Sequence, residues 1–304
     1  MLRIPNLKLN AAQLAAFAAI VKEGSFDAAA RKLHVTASAI SQRLKQLEDR
    51  LGQVLVVRGT PCRATHSGRD LLRHAIQVEL LEKELLRQMG VDGQGDPPPI
   101  SLPIAINADS LDGWFVDAFE DTCKDARVTL DLRVDDQDHS ASMLRDGEVM
   151  GAISAAASTP QGCSVEYLGC MRYFALATRR FCDAYFSDGV TAATLGRAPM
   201  LVYNVKDRMQ GDFVDMLTQA HVTPPTHFVP STPSFVRVAR LGLGWGMIPE
   251  HLARPGMEAG ELTEIVPGVH FDIKLHWHRW QIQSSSLDFL SKAIRAAAGR
   301  HLHR

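Results

Sequence analysis

Apolar residues recur at helical spacing through the first 90 positions and in short β-branched runs after position 100, and that change of period divides the chain. Leu14, Phe17, Ala18 and Val21 lie in phase and predict a helix over 10–22. Ser25, a residue that caps helices well, precedes Phe26, Ala29, Ala30 and Leu33 at i, i+3, i+4 and i+7, one narrow apolar face with alanines small enough for close packing. Thr36 opens a third helix that buries Ile40, Leu44, Leu47 and Leu51 and groups Ser38, Ser41, Gln42 and Lys45 on the opposite side. Three helices with a tight turn before the last, and hydrogen-bonding side chains on its outer face, predict a helix-turn-helix that reads a major groove. The next stretch, VLVVRGTPCRAT, predicts two short extended pieces about a Gly-Thr-Pro turn, a wing that sets Arg58 and Arg63 beside a sugar-phosphate backbone. A solvated helical hairpin has the same pattern, and charge separates the two readings.

Residues 1–74 hold 12 Lys and Arg against 5 Asp and Glu, whereas the whole chain holds 33 against 34. A basic surplus confined to the helix-turn-helix end of a nearly neutral protein is the footprint of phosphate binding. Residues 67–90 then predict a long helix with Leu71, Ala75, Val78, Leu81, Leu85 and Met89 along one side. A second copy of the chain or its own C-terminal half could cover that seam; the first gives a homodimer with two reading heads. The Gly- and Pro-rich VDGQGDPPP marks a linker.

From residue 100 the runs ISLPIAIN, VTLDLRV and MGAIS alternate with helical periods near 108–122 and 140–147. A second set follows in YFALAT, PMLVYN, HFVP and WGMIP, with helices after Arg179, over 207–220 and from Ser231, strands near 262–266 and 271–278, and a last helix over about 284–299. This is an α/β pattern of two lobes that the chain crosses between twice, and a cleft between such lobes takes a small ligand at strand ends and helix N-termini. Asn107, Asp109 and Ser110 in NADS, Ser231 and Thr232 across the cleft, and Tyr203 after a strand are candidate effector contacts. The two helix starts are either plain caps or a seat for a carboxylate. Asp136 and Asp138 in DDQDHS are either a solvated loop or partners for a cationic ligand tail.

Other chemistries find no support: there is no GxGxxG, P-loop, HExxH or GxSxG, so no enzymatic activity and no cofactor are expected. Five cysteines without a CxxC pair suit reduced thiols, His276 and His278 lack companion metal ligands, and no signal peptide or long apolar run is present. A cytoplasmic location without membrane contact is the expectation.

The residues GSF at 24–26, AA at 28–29, Leu33, Ser38, Ser41, LKQLE at 44–48, LG at 51–52, Arg58, Thr65 and Gly68 resemble the N-terminal domain of the LysR-type transcriptional regulators. The resemblance implies a second helix of the motif in the major groove and a wing on the backbone, with Ser25, Thr36, Ser38, Ser41, Gln42, Lys45, Arg58 and Arg63 facing DNA. Position 37, polar in many members, is Ala37. It also extends beyond that domain: NADSL, RDGEVMGAIS, VELLEKE, VRGTPCRAT and LHWHR are similar to the ArgP/LysG branch, which implies lysine or arginine as effector and control of a basic amino-acid exporter. The implied architecture is a winged helix-turn-helix (1–66), a linker and dimerisation helix (67–90), a hinge (91–100) and an α/β effector domain (101–304) like a two-lobed periplasmic binding protein. Lobe I is expected at about 101–161 and 268–304, lobe II at about 162–267. The implied partners are a double-stranded DNA operator, a small-molecule effector and a second copy of the chain, with dimer and tetramer both open. A regulator sensing another metabolite, and an α/β solute-binding or catalytic protein using the helix-turn-helix for protein contacts, remain the alternatives.

Overall fold

The computed structural model describes residues 8–90, 98–124, 127–134, 137–158, 160–220 and 222–304. Helices α1 (Ala11–Glu23), α2 (Phe26–Lys32) and α3 (Ala37–Leu51) form where the apolar spacing puts them, and each opens on a capping side chain. Asn10 accepts from Gln13 N, Ser25 from Ala28 N and Thr36 from Ala39 N. Phe17, Ile20, Ile40, Leu44 and Leu47 are fully enclosed in the core that the three helices share. Strands β1 (Val56–Val57) and β2 (Arg63–Ala64) pair antiparallel as the wing.

Helix α4 (His66–Gln88) follows directly and, at 23 residues, is roughly 35 Å long. Its buried side is not the expected stripe. Leu72, Ala75, Ile76, Leu80 and Glu84 face the rest of the chain, while Leu81, Leu85, Leu86 and Met89 are exposed. The helix therefore carries two apolar faces, one covered in cis and one open.

Along its covered face, Arg69 pairs with Asp146, Arg73 donates to Gln161 O, and Arg87 donates to Arg127 O and Pro98 O. Glu84 is the buried member of this contact. Its carboxylate accepts from Ser284 Oγ at 2.7 Å, Ser286 N at 2.9 Å and Ser285 N at 3.2 Å, which places an anion on the N-terminus of the last helix.

The α/β domain begins with β3 (Ile100–Ile106), α5 (Ala108–Leu111), α6 (Phe115–Cys123), β4 (Val128–Val134), α7 (Gln137–Asp146) and β5 (Gly151–Ser154). Strand β3 runs parallel to both β4 and β5, the arrangement that crossover helices impose. The expected 108–122 helix is broken in two. At the break, a Cβ on Gly113 would stand 2.5 Å from His251 Nε2, so a side-chain-free turn is needed to admit that ring.

The chain then enters β6 (Cys163–Ala177), α8 (Arg179–Tyr185), α9 (Ala192–Leu195), β7 (Met200–Val202), α10 (Met209–Thr218), β8 (Thr226–Phe228), α11 (Thr232–Arg240), β9 (Gly246–Pro249), α12 (Glu250–Glu258), β10 (Thr263–Glu264), β11 (His270–Trp280) and α13 (Ser285–His301). Strand β6 is far longer than the expected YFALAT; Ser164, Glu166, Gly169 and Arg172 interrupt its apolar residues, which hides its first half from a hydrophobicity reading. Pro255 inside α12 likewise masks a helix that forms nonetheless.

Strands β6 and β11 pair antiparallel along 11 positions, and both belong to the two lobes. The expected boundaries at 162 and 268 fall just before β6 and β11, so they assign one of these paired strands to each lobe. Among the described residues one seven-stranded sheet, ordered β10-β6-β11-β5-β3-β4 with β9 on the other edge of β6, carries both lobes, and β7 with β8 adds a parallel pair. The last helix packs back on lobe I against α6, as expected. Among the described residues no helix is long and apolar enough to cross a membrane.

Candidate DNA-reading face and effector cleft

The outer face of α3 follows from its inner one. With Ile40, Leu44 and Leu47 buried, the 100° advance per residue leaves Ser38, Ser41, Gln42 and Lys45 exposed together. Two of the predicted contacts have a structural task already: the Ser25 and Thr36 hydroxyls cap α2 and α3, and Thr36 Oγ1 lies 2.9 Å from Ser38 Oγ. Each still stands at a helix N-terminus, where backbone N–H groups suit a phosphate. Arg58 is exposed after β1, its guanidinium over the Phe26 ring of α2 at 5.3 Å from the centroid. Arg63 is exposed on β2.

A cavity of about 550 Å³ opens between the lobes. Lobe I supplies Asn107, Ala108 and Asp109 from the end of β3 and the start of α5, together with Val134 from β4. Lobe II supplies the Tyr203–Gln210 turn, Thr232 and Phe235; the crossing strands add Tyr173, Phe271 and Ile273. The lobe II turn is held by its own side chains. Asn204 Oδ1 accepts from Lys206 N and Asp207 N, and the Asp207 carboxylate accepts from Tyr203 N and Met209 N, each at 3.0 Å.

Asp109 is the centre of the site. Its Oδ2 accepts from Tyr173 OH at 2.8 Å and its Oδ1 from Thr232 Oγ1 at 3.1 Å, so a single carboxylate joins lobe I, a crossing strand and lobe II. Burial raises its pKa above the ordinary carboxylate value; the two hydroxyl donors oppose that shift, and the nearby Asp207 and Asp112 carboxylates add to it. Burial and the neighbouring Asp109 push the Tyr173 phenol well above its usual range, so it stays a donor. Among the described residues Asp109 has hydroxyl partners and no cationic one. Two more acceptors on the lining residues, Asn107 Oδ1 and Gln210 Oε1, are buried without a partner among the described residues. Although Lys206 and Arg208 also line the cavity, these two open acceptors beside a carboxylate without a cationic partner suit a ligand carrying an ammonium or guanidinium group.

Of the residues expected from the sequence, the structure brings Asn107, Asp109, Tyr203 and Thr232 to the cavity. Ser110 is wholly enclosed behind the wall, and Ser231 Oγ points to Ser234 Oγ at 3.2 Å, so neither hydroxyl lines the cavity. Helix geometry explains this: Ser110 follows Asp109 by 100° and turns inward. Asp136 lies outside the described residues, as does the side chain of Asp138 in α7. Sequence reasoning missed Tyr173, Asp207 and Gln210. The Asn-x-x-Asp spacing of 204 and 207 signals a capped turn, but nothing local to Tyr173 or Gln210 marks a cavity. Of the two histidines weighed for a metal, His278 lies with Nε2 2.9 Å from Ala156 O, and burial lowers its pKa. No group of three His, Cys, Asp or Glu side chains suited to a metal occurs among the described residues.

Two family descriptions match the chain: the bacterial regulatory helix-turn-helix protein of the lysR family over residues 11–69, and the LysR substrate binding domain over residues 115–299. The chain is 46% identical over 291 residues to the HTH-type transcriptional regulator LysG of Mycobacterium tuberculosis, covering 96% of this chain and 94% of that protein. It is 38% identical over 291 residues to the lysine export transcriptional regulatory protein LysG of Corynebacterium glutamicum, covering 95% and 98% respectively. The solved structure of full-length LysG from C. glutamicum with bound effector Arg superimposes with a TM-score of 0.82 at 37% identity, covering 97% of this chain and 100% of that one.

Proposed function

Because the chain belongs to the LysR family and is a DNA-binding transcriptional regulator with an effector-binding domain, we propose that its effector is arginine or lysine, held in the cleft on Asp109. The observation that carries this reading is the Asp109 carboxylate, desolvated and without a cationic partner among the described residues. A buried carboxylate left unpaired costs several kcal/mol, and an ammonium or guanidinium supplies the missing charge. Asn107 Oδ1 and Gln210 Oε1 accept the remaining N–H donors. The names of the relatives support the same class: one is a lysine export regulator and one structure holds arginine. Control of an exporter of basic amino acids is the corresponding physiological role, and enzymatic activity has no part in it.

The DNA side of the reading uses Gln42, Ser38, Ser41 and Lys45 at base edges, with Arg58, Arg63 and the starts of α2 and α3 on phosphates. Two heads come from dimerisation through the open face of α4, where Leu81, Leu85 and Met89 lie in one stripe. Effector binding changes the Tyr173–Asp109–Thr232 contact that joins the lobes. Through α13 and Glu84, lobe I is tied to α4, which bears the DNA heads. A ligand that prefers one lobe arrangement therefore shifts the placement of those heads. The test is calorimetry on the full chain with L-arginine, L-lysine and, as the neutral isostere, L-citrulline, followed by footprinting on duplexes selected from a random pool with and without L-arginine. Binding of both basic amino acids and a footprint altered by arginine are expected. Tighter binding of citrulline than of arginine overturns the charge argument.

A further inference from the structure

The lobes also meet away from the cleft, on the opposite edge of β6 from β11. Their shared strands are interrupted at one point. The β6–β11 register shifts between Leu275 and His276, because Gly169 faces Leu275 while Tyr167 faces His276, leaving Leu168 as an extra residue. Such a bulge is where a two-strand connection bends, and it lies between the part of β6 that pairs with β11 beside lobe I and the part that pairs with β9 in lobe II.

The last turn of α13 and the residues after it are fastened at that bulge. Cys170 N donates to His303 O at 2.7 Å and His303 N donates to Cys170 O at 3.0 Å. Gly169, at φ +141°, leaves the room: a Cβ there would meet His303 O and Leu302 Cβ, each at 2.7 Å. Side chains then reach both ways. Toward lobe I, Arg300 and His301 hold Asp117 of α6 at 3.1 and 2.8 Å, and these two contacts draw the Asp117 carboxyl below its ordinary pKa. Toward lobe II, His303 Nε2 lies 2.5 Å from Glu250 Oε2 at the start of α12. Beside this path His251 of α12 rests on Gly113 of lobe I, so the edge is a continuous seam between the lobes.

We propose that the segment Arg300–His303 is a clasp across the hinge, which holds lobe I, β6 and lobe II together and so sets the resting width of the effector cleft. None of its residues lines the cavity, so they act as positioning residues. Loosening the clasp widens the resting cleft and weakens effector binding, since part of the binding free energy must then restore closure. The affinity part of this inference rests on the arginine assignment above; the geometric part does not.

The test reads both. Fluorophores on unnatural residues at Thr129 in lobe I and Asp215 in lobe II, both exposed, report the inter-lobe distance in the full, effector-free chain. His303→Ala and the size-preserving Glu250→Gln should each lower transfer efficiency and weaken L-arginine binding about threefold or more. Should His303→Ala fail to fold, Glu250→Gln decides alone. Unchanged transfer in the folded variants overturns the clasp, whether or not arginine affinity changes. Lower transfer in the variants, with arginine bound by no version including the wild type, upholds the clasp and removes the effector assignment.

Discussion

Replacing Asp109 by Asn keeps the size of the side chain and removes the one charge on which the effector reading turns. The carboxylate has two hydroxyl donors in the effector-free protein, and Asn can retain one as acceptor, so the resting cleft changes little. A charge-assisted hydrogen bond to a bound cation contributes about 1.5 to 3 kcal/mol, which predicts a loss of roughly ten- to hundred-fold in arginine affinity. The pH dependence supplies a second signature. The folded-state pKa of Asp109 is raised above that of the unfolded chain, so the native protein binds the proton more readily. Its contribution to stability is therefore complete at low pH and is lost as pH rises through the interval between the two values. Asp109→Asn should abolish that dependence and leave the effector-free protein at least as stable near neutrality.

A cationic ligand favours the ionised carboxylate, so arginine binding to the wild type should weaken as pH falls toward the raised pKa, and the variant should lack this slope. Calorimetric titration of both proteins across pH, paired with chemical denaturation, measures the two effects. Equal arginine affinity and equal pH profiles in wild type and Asp109→Asn would refute the reasoning.

Further outcomes are expected at the other residues. Asp136→Asn and Asp138→Asn should leave arginine affinity within a few-fold of wild type in the same calorimetry; a ten-fold loss in either would move the cationic anchor to the loop. Gln42→Ala should reduce discrimination between selected and random duplexes in gel shifts, and a dimer meeting three or four phosphates per head should show log K against log salt with a slope of roughly −5 to −7. Leu81→Asp puts a charge into the exposed stripe of α4, a penalty of several kcal/mol in an apolar interface, and sedimentation should show monomers or aggregates. Glu84→Ala leaves Ser284 Oγ, Ser285 N and Ser286 N without their shared acceptor and should cost about 2 to 4 kcal/mol, seen as faster amide exchange in the first turn of α13.

The sequence by itself determined whatever rests on local periodicity. Helices α1 to α3 follow from apolar spacing and capping residues, and because the inner face was legible, the outer face of Ser38, Ser41, Gln42 and Lys45 was legible too. The alternation beyond residue 100 likewise gave the two-lobed α/β plan, and NADS gave one wall of the cleft. What the sequence could not carry was any contact between segments distant along the chain. Tyr173 and Thr232 are 64 and 123 residues from the Asp109 they bond, so the central carboxylate acquires its meaning only after the sheet has closed.

The same reason governs α4, where two apolar faces are visible as one broad pattern. Only the packing of α1 and α7 on α4, with the start of α13 setting Ser284 to Ser286 around Glu84, decides which face is covered in cis and which is left for a partner. Gly113 and Gly169 likewise read as ordinary loop or strand glycines. Tertiary structure alone shows that a ring and a passing backbone occupy the places where their side chains would be.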